Sequence, residues 1–382
     1  MQCKPLLDMI DELSETYLSV WEDVCNLESP TASKAGVDAV GRYFDALARE
    51  KGWKIEKLPL ETAGDPICIT MNPDAPAAPV TFSGHIDTVH PVGLFGTPAV
   101  RRDGEKIYGP GVADCKGGAV ASFLAMDALE RCGFTARPVQ LILQTDEETG
   151  SRNSGKKTVE FMCEKAKDSV AFFNTEPCSK DKATLSRKGI WRAKLNITGK
   201  AAHSSDCMNG ASAIAEAAHK LLKLEQMKDK SGLTCNCGVI EGGTMANSVA
   251  ASCSFLADIR FATEEQYQQA VATVNEVAQT VHIPGCSCRV EQISYRPPMP
   301  LEQRNINLLA RMNEIYEAAG LPFLTANIGV GGSDAAYTTL AGIPTIDSIG
   351  VFGNEIHSVL EFAWNRSLAE AAKRLAVAAY FL

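Results

Sequence analysis

The sequence predicts an α/β protein: a mostly parallel mixed sheet with helices on both faces, interrupted by an inserted α+β domain. Three observations carry this. Apolar, β-prone segments alternate with helical ones over most of the chain, the pattern of a largely parallel sheet. Near Leu185 the alternation gives way to a β-α-β-β-α-β run, the order of a ferredoxin-like unit with an antiparallel sheet and two helices on one face. After Pro297, Pro298 and Pro300 the first pattern resumes. The expected division is residues 1–185 with 297–382 for the first domain and 186–296 for the insertion.

Taken in order, Leu6, Leu7, Ile10, Leu13, Tyr17, Leu18 and Trp21 recur at helical spacing and predict an amphipathic first helix. Asp8, Glu12, Glu15 and Glu22 interrupt its apolar runs, which excludes a secretory signal peptide. Val37 to Lys51 reads as a second helix, and Trp53 to Leu60 and Ile67 to Met71 as strands. Pro79 to Phe82 is a buried strand ended by Ser83-Gly84, and Pro98 to Tyr108 a hairpin around Asp103-Gly104. Gly109 to Gly118 is glycine-rich, Ala119 to Arg131 helical, Val139 to Thr145 a strand, Thr158 to Ala166 a helix and Val170 to Asn174 a strand. In the insertion, strands are expected at Ile190 to Ile197, Leu233 to Ile240, Val249 to Phe261 and Cys288 to Ile293. Helices are expected there at Gly210 to Leu224 and Thr263 to Val281. The return supplies a helix at Asn305 to Ala319, a strand at Leu324 to Ile328, a glycine loop at Gly329 to Ala335, a strand at Thr345 to Gly350 and a closing helix at Ser367 to Phe381.

Composition bounds the partners. Hydrophobic residues make up 45% of the 382 positions and charged residues 22%, enough for a sizeable core. The net charge of -9 and the lack of any Lys/Arg block argue against nucleic acid. No run approaches the roughly 18 apolar residues that span a membrane, so a cytoplasmic protein without a membrane partner is expected. The 13 cysteines are odd in number, and Cys235/Cys237 and Cys286/Cys288 are C-x-C pairs; reduced thiols are expected rather than disulfides or structural zinc.

Chemistry gathers at strand ends and in glycine-rich loops, where ligands bind in α/β sheets. The groups there are His85, Asp87, Asp114, Glu147, Glu148, Glu176 and His357. A pair of close metals needs more ligands than one, with a carboxylate able to bridge. The set fits His85 and Glu176 on one ion, Glu148 and His357 on the other, and Asp114 between them. Asp87 is placed to accept the second ring N–H of His85 and fix its tautomer. Neighbours on an extended chain point apart, so Glu148 can ligate while Glu147 faces a water as general base. The loop from Gly329 to Ala335 lacks a following Gly-Lys-Ser/Thr, and is read as lining a substrate through Gly332 and Ser333 rather than cradling phosphate.

The motifs Ser83-Gly84-His85-Ile86-Asp87-Thr88-Val89, Gly109-Pro110-Gly111-Val112-Ala113-Asp114-Cys115-Lys116-Gly117-Gly118, Thr145-Asp146-Glu147-Glu148-Thr149-Gly150-Ser151, Asn174-Thr175-Glu176-Pro177 and Gly331-Gly332-Ser333-Asp334-Ala335 occur in order across nearly the whole chain. Together they resemble the zinc exopeptidases that include glutamate carboxypeptidase, succinyl-diaminopimelate desuccinylase, acetylornithine deacetylase and aminoacylase. The nearest likeness is to the glutamate carboxypeptidase, carboxypeptidase G type. The resemblance implies the same ligand roles, two zinc ions per chain with cobalt or manganese as substitutes, and a cis peptide between Asp114 and Cys115. It implies that the insertion is a lid and dimerisation domain, so that the chain is a homodimer. There, Gly199-Lys200-Ala201-Ala202-His203-Ser204-Ser205 matches a motif whose histidine polarises the scissile carbonyl. Asn247 matches a hydrogen-bond donor to the substrate, and Arg260 the guanidinium that takes its terminal carboxylate. Lys182 matches another substrate-facing position. The implied substrate is a small peptide or N-acyl amino acid with a free carboxylate.

Overall fold

In the computed structural model, which describes residues 3–179 and 181–382, the opening segment forms α1 (Lys4–Asn26). Pro5 lies in its first turn, where a missing N–H leaves no bond unmade. Helix α2 (Lys34–Glu50) begins earlier than periodicity places it, because Ser33 caps it by accepting the Gly36 N–H at 3.3 Å. Then follow β1 (Lys54–Lys57), β2 (Ile67–Met71), β3 (Val80–His85), the hairpin β4 (Arg101–Asp103) and β5 (Lys106–Tyr108), α3 (Lys116–Arg131), β6 (Val139–Gln144), α4 (Lys157–Ala166), β7 (Ala171–Asn174) and β8 (Lys182–Arg187). The middle of the chain holds β9 (Gly189–Thr198), a 3-10 turn at Ser204–Asn209, α5 (Ala213–Leu224), β10 (Thr234–Gly242), β11 (Ser252–Phe261), α6 (Glu264–Gln279) and β12 (Ser287–Arg296). The remainder runs through α7 (Gln303–Ala319), β13 (Thr325–Gly329), α8 (Ala335–Leu340), β14 (Thr345–Ile346), β15 (Gly353–Asn354), β16 (Phe362–Trp364) and α9 (Arg366–Phe381).

These elements form two units. The first runs up to Ser186 and adds Leu301–Ile328 and Ser333–Leu382; the second is Arg187–Pro300 with Gly329–Gly332. The first is built on a six-stranded sheet of order β1-β2-β6-β3-β7-β14. Strand β3 pairs parallel with β6 and β7, β14 pairs parallel with β7, and β2 and β1 add an antiparallel edge. Alternating side chains put its two faces into different cores. Leu141, Leu143 and Phe173 join α1, α2, α3, α7 and α9 on one face, while Ile142 and Phe172 join Val159, Phe161 and Met162 of α4 on the other. Burying a side chain such as Phe82 contributes roughly 1.5–3 kcal/mol.

The second unit has an antiparallel sheet of order β10-β11-β9-β12. Trp191, Ala193, Leu195 and Ile197 of β9 and Phe255, Ala257 and Ile259 of β11 pack with α5 and α6 on one face. The intervening Arg192, Asp258 and Arg260 therefore lie on the opposite face. Strand β10 is an edge, exposed from Gly238 to Gly242 with Val239 and Ile240 about half uncovered.

Three expectations change. The helix placed at Gly210 starts only at Ala213, where Ser212 caps it by accepting the Ala215 N–H. The strand placed at Thr345 to Gly350 stops at Ile346: the Asp347 carboxylate takes the Ser348 N–H at 2.6 Å and Ser348 adopts φ +59°. The glycine loop beginning at Gly329 gives way at Ala335 to the short helix α8. Among the described residues no helix is long and apolar enough to cross a membrane, and the cysteines are free thiols, with Cys207 exposed and Cys25, Cys68, Cys115 and Cys178 buried.

Candidate metal centre

Three parallel neighbours deliver their carboxyl ends to one place. Strand β3 ends at His85, β6 at Gln144 just before Glu147 and Glu148, and β7 at Asn174 just before Glu176. The loop from Gly109 to Asp114 brings a further carboxylate ahead of α3, and the Asp114–Cys115 peptide is cis, as expected. The segment after β15 brings His357, at φ +62°.

The five expected ligands are assembled. His85 Nε2 stands 2.9 Å from Asp114 Oδ1 and 3.8 Å from Glu176 Oε1. His357 Nε2 stands 3.2 Å from Asp114 Oδ2 and 3.3 Å from Glu148 Oε2. Each oxygen of Asp114 thus faces a different imidazole, the geometry of a bridging carboxylate. Ligand atoms of His85, Asp114 and Glu148 lie within 4.8 Å of one another, as do those of His85, Cys115 and Glu176. The Cys115 thiol also donates to the Thr175 carbonyl at 3.1 Å.

Charge is concentrated here. Burial raises the Glu176 carboxyl well above the usual range, and the Asp114 and Glu147 charges add to it. Burial also raises Glu148 against the hydrogen bond from His357, with Asp114 and Glu147 contributing. Asp114 goes the other way: burial opposes its charge, but hydrogen bonds from His357 and His85 outweigh this and lower it. Hydrogen bonds to Asp114 and Glu148 push His357 up to about 10. Carboxylates crowded together beside imidazoles are a donor set that could hold divalent metal.

Asp87 differs from expectation. His85 Nδ1 meets the backbone carbonyl of Asp87 at 3.0 Å, with the carboxylate 3.5 Å away. The carboxylate instead accepts from Thr31 Oγ1 at 2.8 Å and from the N–H groups of Glu147 and Glu148 at 3.2 Å each. It holds the Glu147-Glu148 pair in place, because an acidic side chain beneath two backbone N–H groups finds better donors there than a ring nitrogen already satisfied.

The remaining expected residues belong to both units. Ser333 is buried and donates to Asp347 at 2.5 Å, while Gly332 lies against Arg296. Lys182 is exposed at the start of β8. In the second unit, His203 caps the 3-10 turn: its Nδ1 accepts from the Ser205 N–H at 3.3 Å. An accepting Nδ1 leaves the proton on Nε2. The Ser204 N–H donates to the Asn247 carbonyl at 3.0 Å and His203 pairs with Ser248 in an isolated antiparallel bridge, so the segments carrying His203 and Asn247 run side by side. Arg260 forks onto Asp258 at 2.5 and 3.2 Å, and Arg192 shares that carboxylate at 2.9 Å.

Residues 81–380 match Peptidase family M20/M25/M40. The chain belongs to this family. Carboxypeptidase G2 of Pseudomonas sp. (strain RS-16) is 29% identical over 344 residues, covering 88% of this chain and 82% of that protein. An acetylornithine deacetylase of Myxococcus xanthus is 30% identical over 199 residues, 48% of this chain and 50% of that protein. The crystal structure of aminopeptidase PepT from Bacillus cereus ATCC 10987 shares the fold, with TM-score 0.78 over 96% of this chain and 98% of that one at 21% identity. This M20 chain is a metal-dependent hydrolase acting on amide bonds. Two residues beside its centre lie outside the motifs. Thr31 supports Asp87 from the turn Ser29-Pro30-Thr31, and Glu361 is a buried carboxylate that holds His90 Nε2 at 2.8 Å. A carboxylate four positions from a ligand histidine is too common a pattern to single Glu361 out.

Proposed function

We propose that the chain is a di-zinc carboxypeptidase that hydrolyses an amide bond next to a free carboxylate. The observation that carries this is Asp114, whose two oxygens face His85 and His357 separately. His85 and Glu176 would hold one ion, Glu148 and His357 the other, and Asp114 both. Bound there, zinc supplies Lewis acidity and lowers the pKa of a water to about 7. Glu147, fixed through its N–H by Asp87, removes the proton from the attacking water and delivers it to the leaving amine. His203, with its proton on Nε2, is the proposed donor to the developing oxyanion. Arg260 is the proposed partner of the substrate carboxylate. Asp258 takes its Nε–Nη2 edge and orients the guanidinium, so a substrate carboxylate would meet the Nη1–Nη2 edge.

The test is an assay of zinc-loaded wild type and Glu147→Gln on C-terminal Glu and Asp peptides, their C-terminal amides, and N-acyl amino acids. The variant is expected to keep its zinc and lose turnover by at least about a hundredfold. Free acids should be cleaved and amides not. Near-normal kcat in the variant removes Glu147 as base, and equal cleavage of amides removes the carboxylate preference. Preferred cleavage of the N-acyl amino acids would favour the second reading, a deacylase, which the acetylornithine deacetylase relative supports.

The same proposal includes a homodimer through the second unit, supported by the uncovered edge of β10 with Val239 and Ile240. Sedimentation at micromolar concentration should give a two-chain species; a single-chain mass would remove this part.

A further inference from the structure

Glu361 is 1% exposed and its carboxylate gathers four hydrogen bonds. Its Oε1 accepts the N–H groups of Ala113 at 2.9 Å and Asp114 at 3.1 Å. Its Oε2 accepts the Gly111 N–H at 3.3 Å and His90 Nε2 at 2.8 Å. Its backbone carbonyl takes the Gly109 N–H at 3.3 Å. One residue therefore holds the loop that presents Asp114 at both of its ends.

Glu361 also closes the segment that carries His357. The Ser358 N–H and Oγ both donate to the Glu355 carbonyl, the Leu360 N–H to Ser358 Oγ, and the Glu361 N–H to the Ser358 carbonyl. The turn is bonded within itself, and the His357 side chain is half exposed, with Asp114 and Glu148 on its Nε2. Strands β15 and β16 flank this turn and join it through β5 to the start of the Asp114 loop, and the Glu361 carboxylate, at the far end of the turn, adds bonds to the end of that loop that presents Asp114, 3.2 Å from His357. His85 and Glu176, in contrast, leave the ends of β3 and β7 and take their positions from the sheet.

We propose that Glu361 is a positioning residue that sets the separation of Asp114 and His357, and so the metal position these two share with Glu148. This rests on the two-metal reading. Groups one layer behind the ligands matter in this way because a ligand's orientation is fixed by what its own loop is bonded to. Glu361→Gln keeps the volume but replaces one accepting oxygen with an N–H2 that faces donors. His90→Ala removes one of the four donors and leaves the loop contacts in place.

The experiment is a zinc titration of the metal-stripped full chain against a chromophoric chelator, for wild type, Glu361→Gln, Glu361→Ala and His90→Ala, with circular dichroism of each stripped protein. Wild type is expected to bind two zinc ions. In both Glu361 variants one site should lose about 10–100-fold in affinity while the other changes by less than about threefold. His90→Ala should move the same site by less. At saturating zinc, kcat should recover with KM unchanged. If wild type binds two ions and Glu361→Gln matches it at both sites, the proposal is overturned. It is equally overturned if both sites weaken together, or if neither Glu361 variant folds, because a purely structural role would do that. Binding of one ion by wild type would instead sink the two-metal reading, and this proposal with it.

Discussion

The carboxylate of Asp87 is fully buried and spends its accepting capacity on Thr31 and on the backbone of Glu147 and Glu148. Its carbonyl at the same time faces His85 Nδ1. One residue thus orients a ligand through its main chain and the proposed base through its side chain. Asp87→Asn would turn an amide N–H2 toward at least one donor, and an unmet buried donor costs roughly 1–3 kcal/mol. A fall in kcat of about 10–100-fold with little change in KM is expected from steady-state kinetics. An unchanged kcat would show that the Glu147-Glu148 turn keeps its shape without Asp87. The expected partnership of Asp87 with His85 was legible as proximity, since residues two apart on a strand share a side. Which atom of Asp87 does the work was not, because that depends on a turn from another strand arriving above it.

Among the elements, α3 and the stretch after β14 crowd the same carbonyl. A Cβ at Gly118 would lie 2.1 Å from the Thr175 oxygen, and one at Gly350 would lie 2.0 Å from it. Thr175 immediately precedes Glu176, and α3 immediately follows Asp114 and Cys115, so this contact sets how closely two ligands can approach. Gly118→Ala must push α3 back from β7. A loss of about 1–3 kcal/mol in denaturant unfolding is expected, together with weaker zinc binding by titration. Full stability in the variant would mean that α3 can shift freely. The long elements were readable because their periodicity extends over enough residues, as in Ile190 to Ile197 or Ser367 to Phe381. Strands β15 and β16, of two and three residues, are too short to carry a period. His357 sits in a left-handed turn with no local signature, so its place beside Asp114 comes from tertiary packing. Glu361 was missed for the same reason: its donors are backbone N–H groups some 250 residues away in sequence, which no side-chain pattern announces.

Among the described residues there are three apolar cores, one on each face of the six-stranded sheet and one between the four-stranded sheet and α5 and α6. All five proposed ligands belong to the first unit. Bound metal stabilises only what must fold to bind it, by about 2.7 kcal/mol at a hundred times the dissociation constant. Calorimetry of zinc-loaded and EDTA-treated protein should therefore show one transition that falls on stripping and a second that stays. A single transition moving as a whole would show that the two units unfold together. The thiols add a consequence for covalent chemistry. Burial pushes Cys25 up to about 12 and Cys68 and Cys178 up to about 11, so few of their sulfurs are thiolates at neutral pH and reagents reach them slowly. Cys207 is exposed, in the very turn that His203 caps. An alkylating dye given to the folded protein reacts there first. It becomes a spectroscopic tag beside His203, in the unit that carries none of the five proposed ligands, and an electrophile that silences this enzyme need not have reacted with any of them.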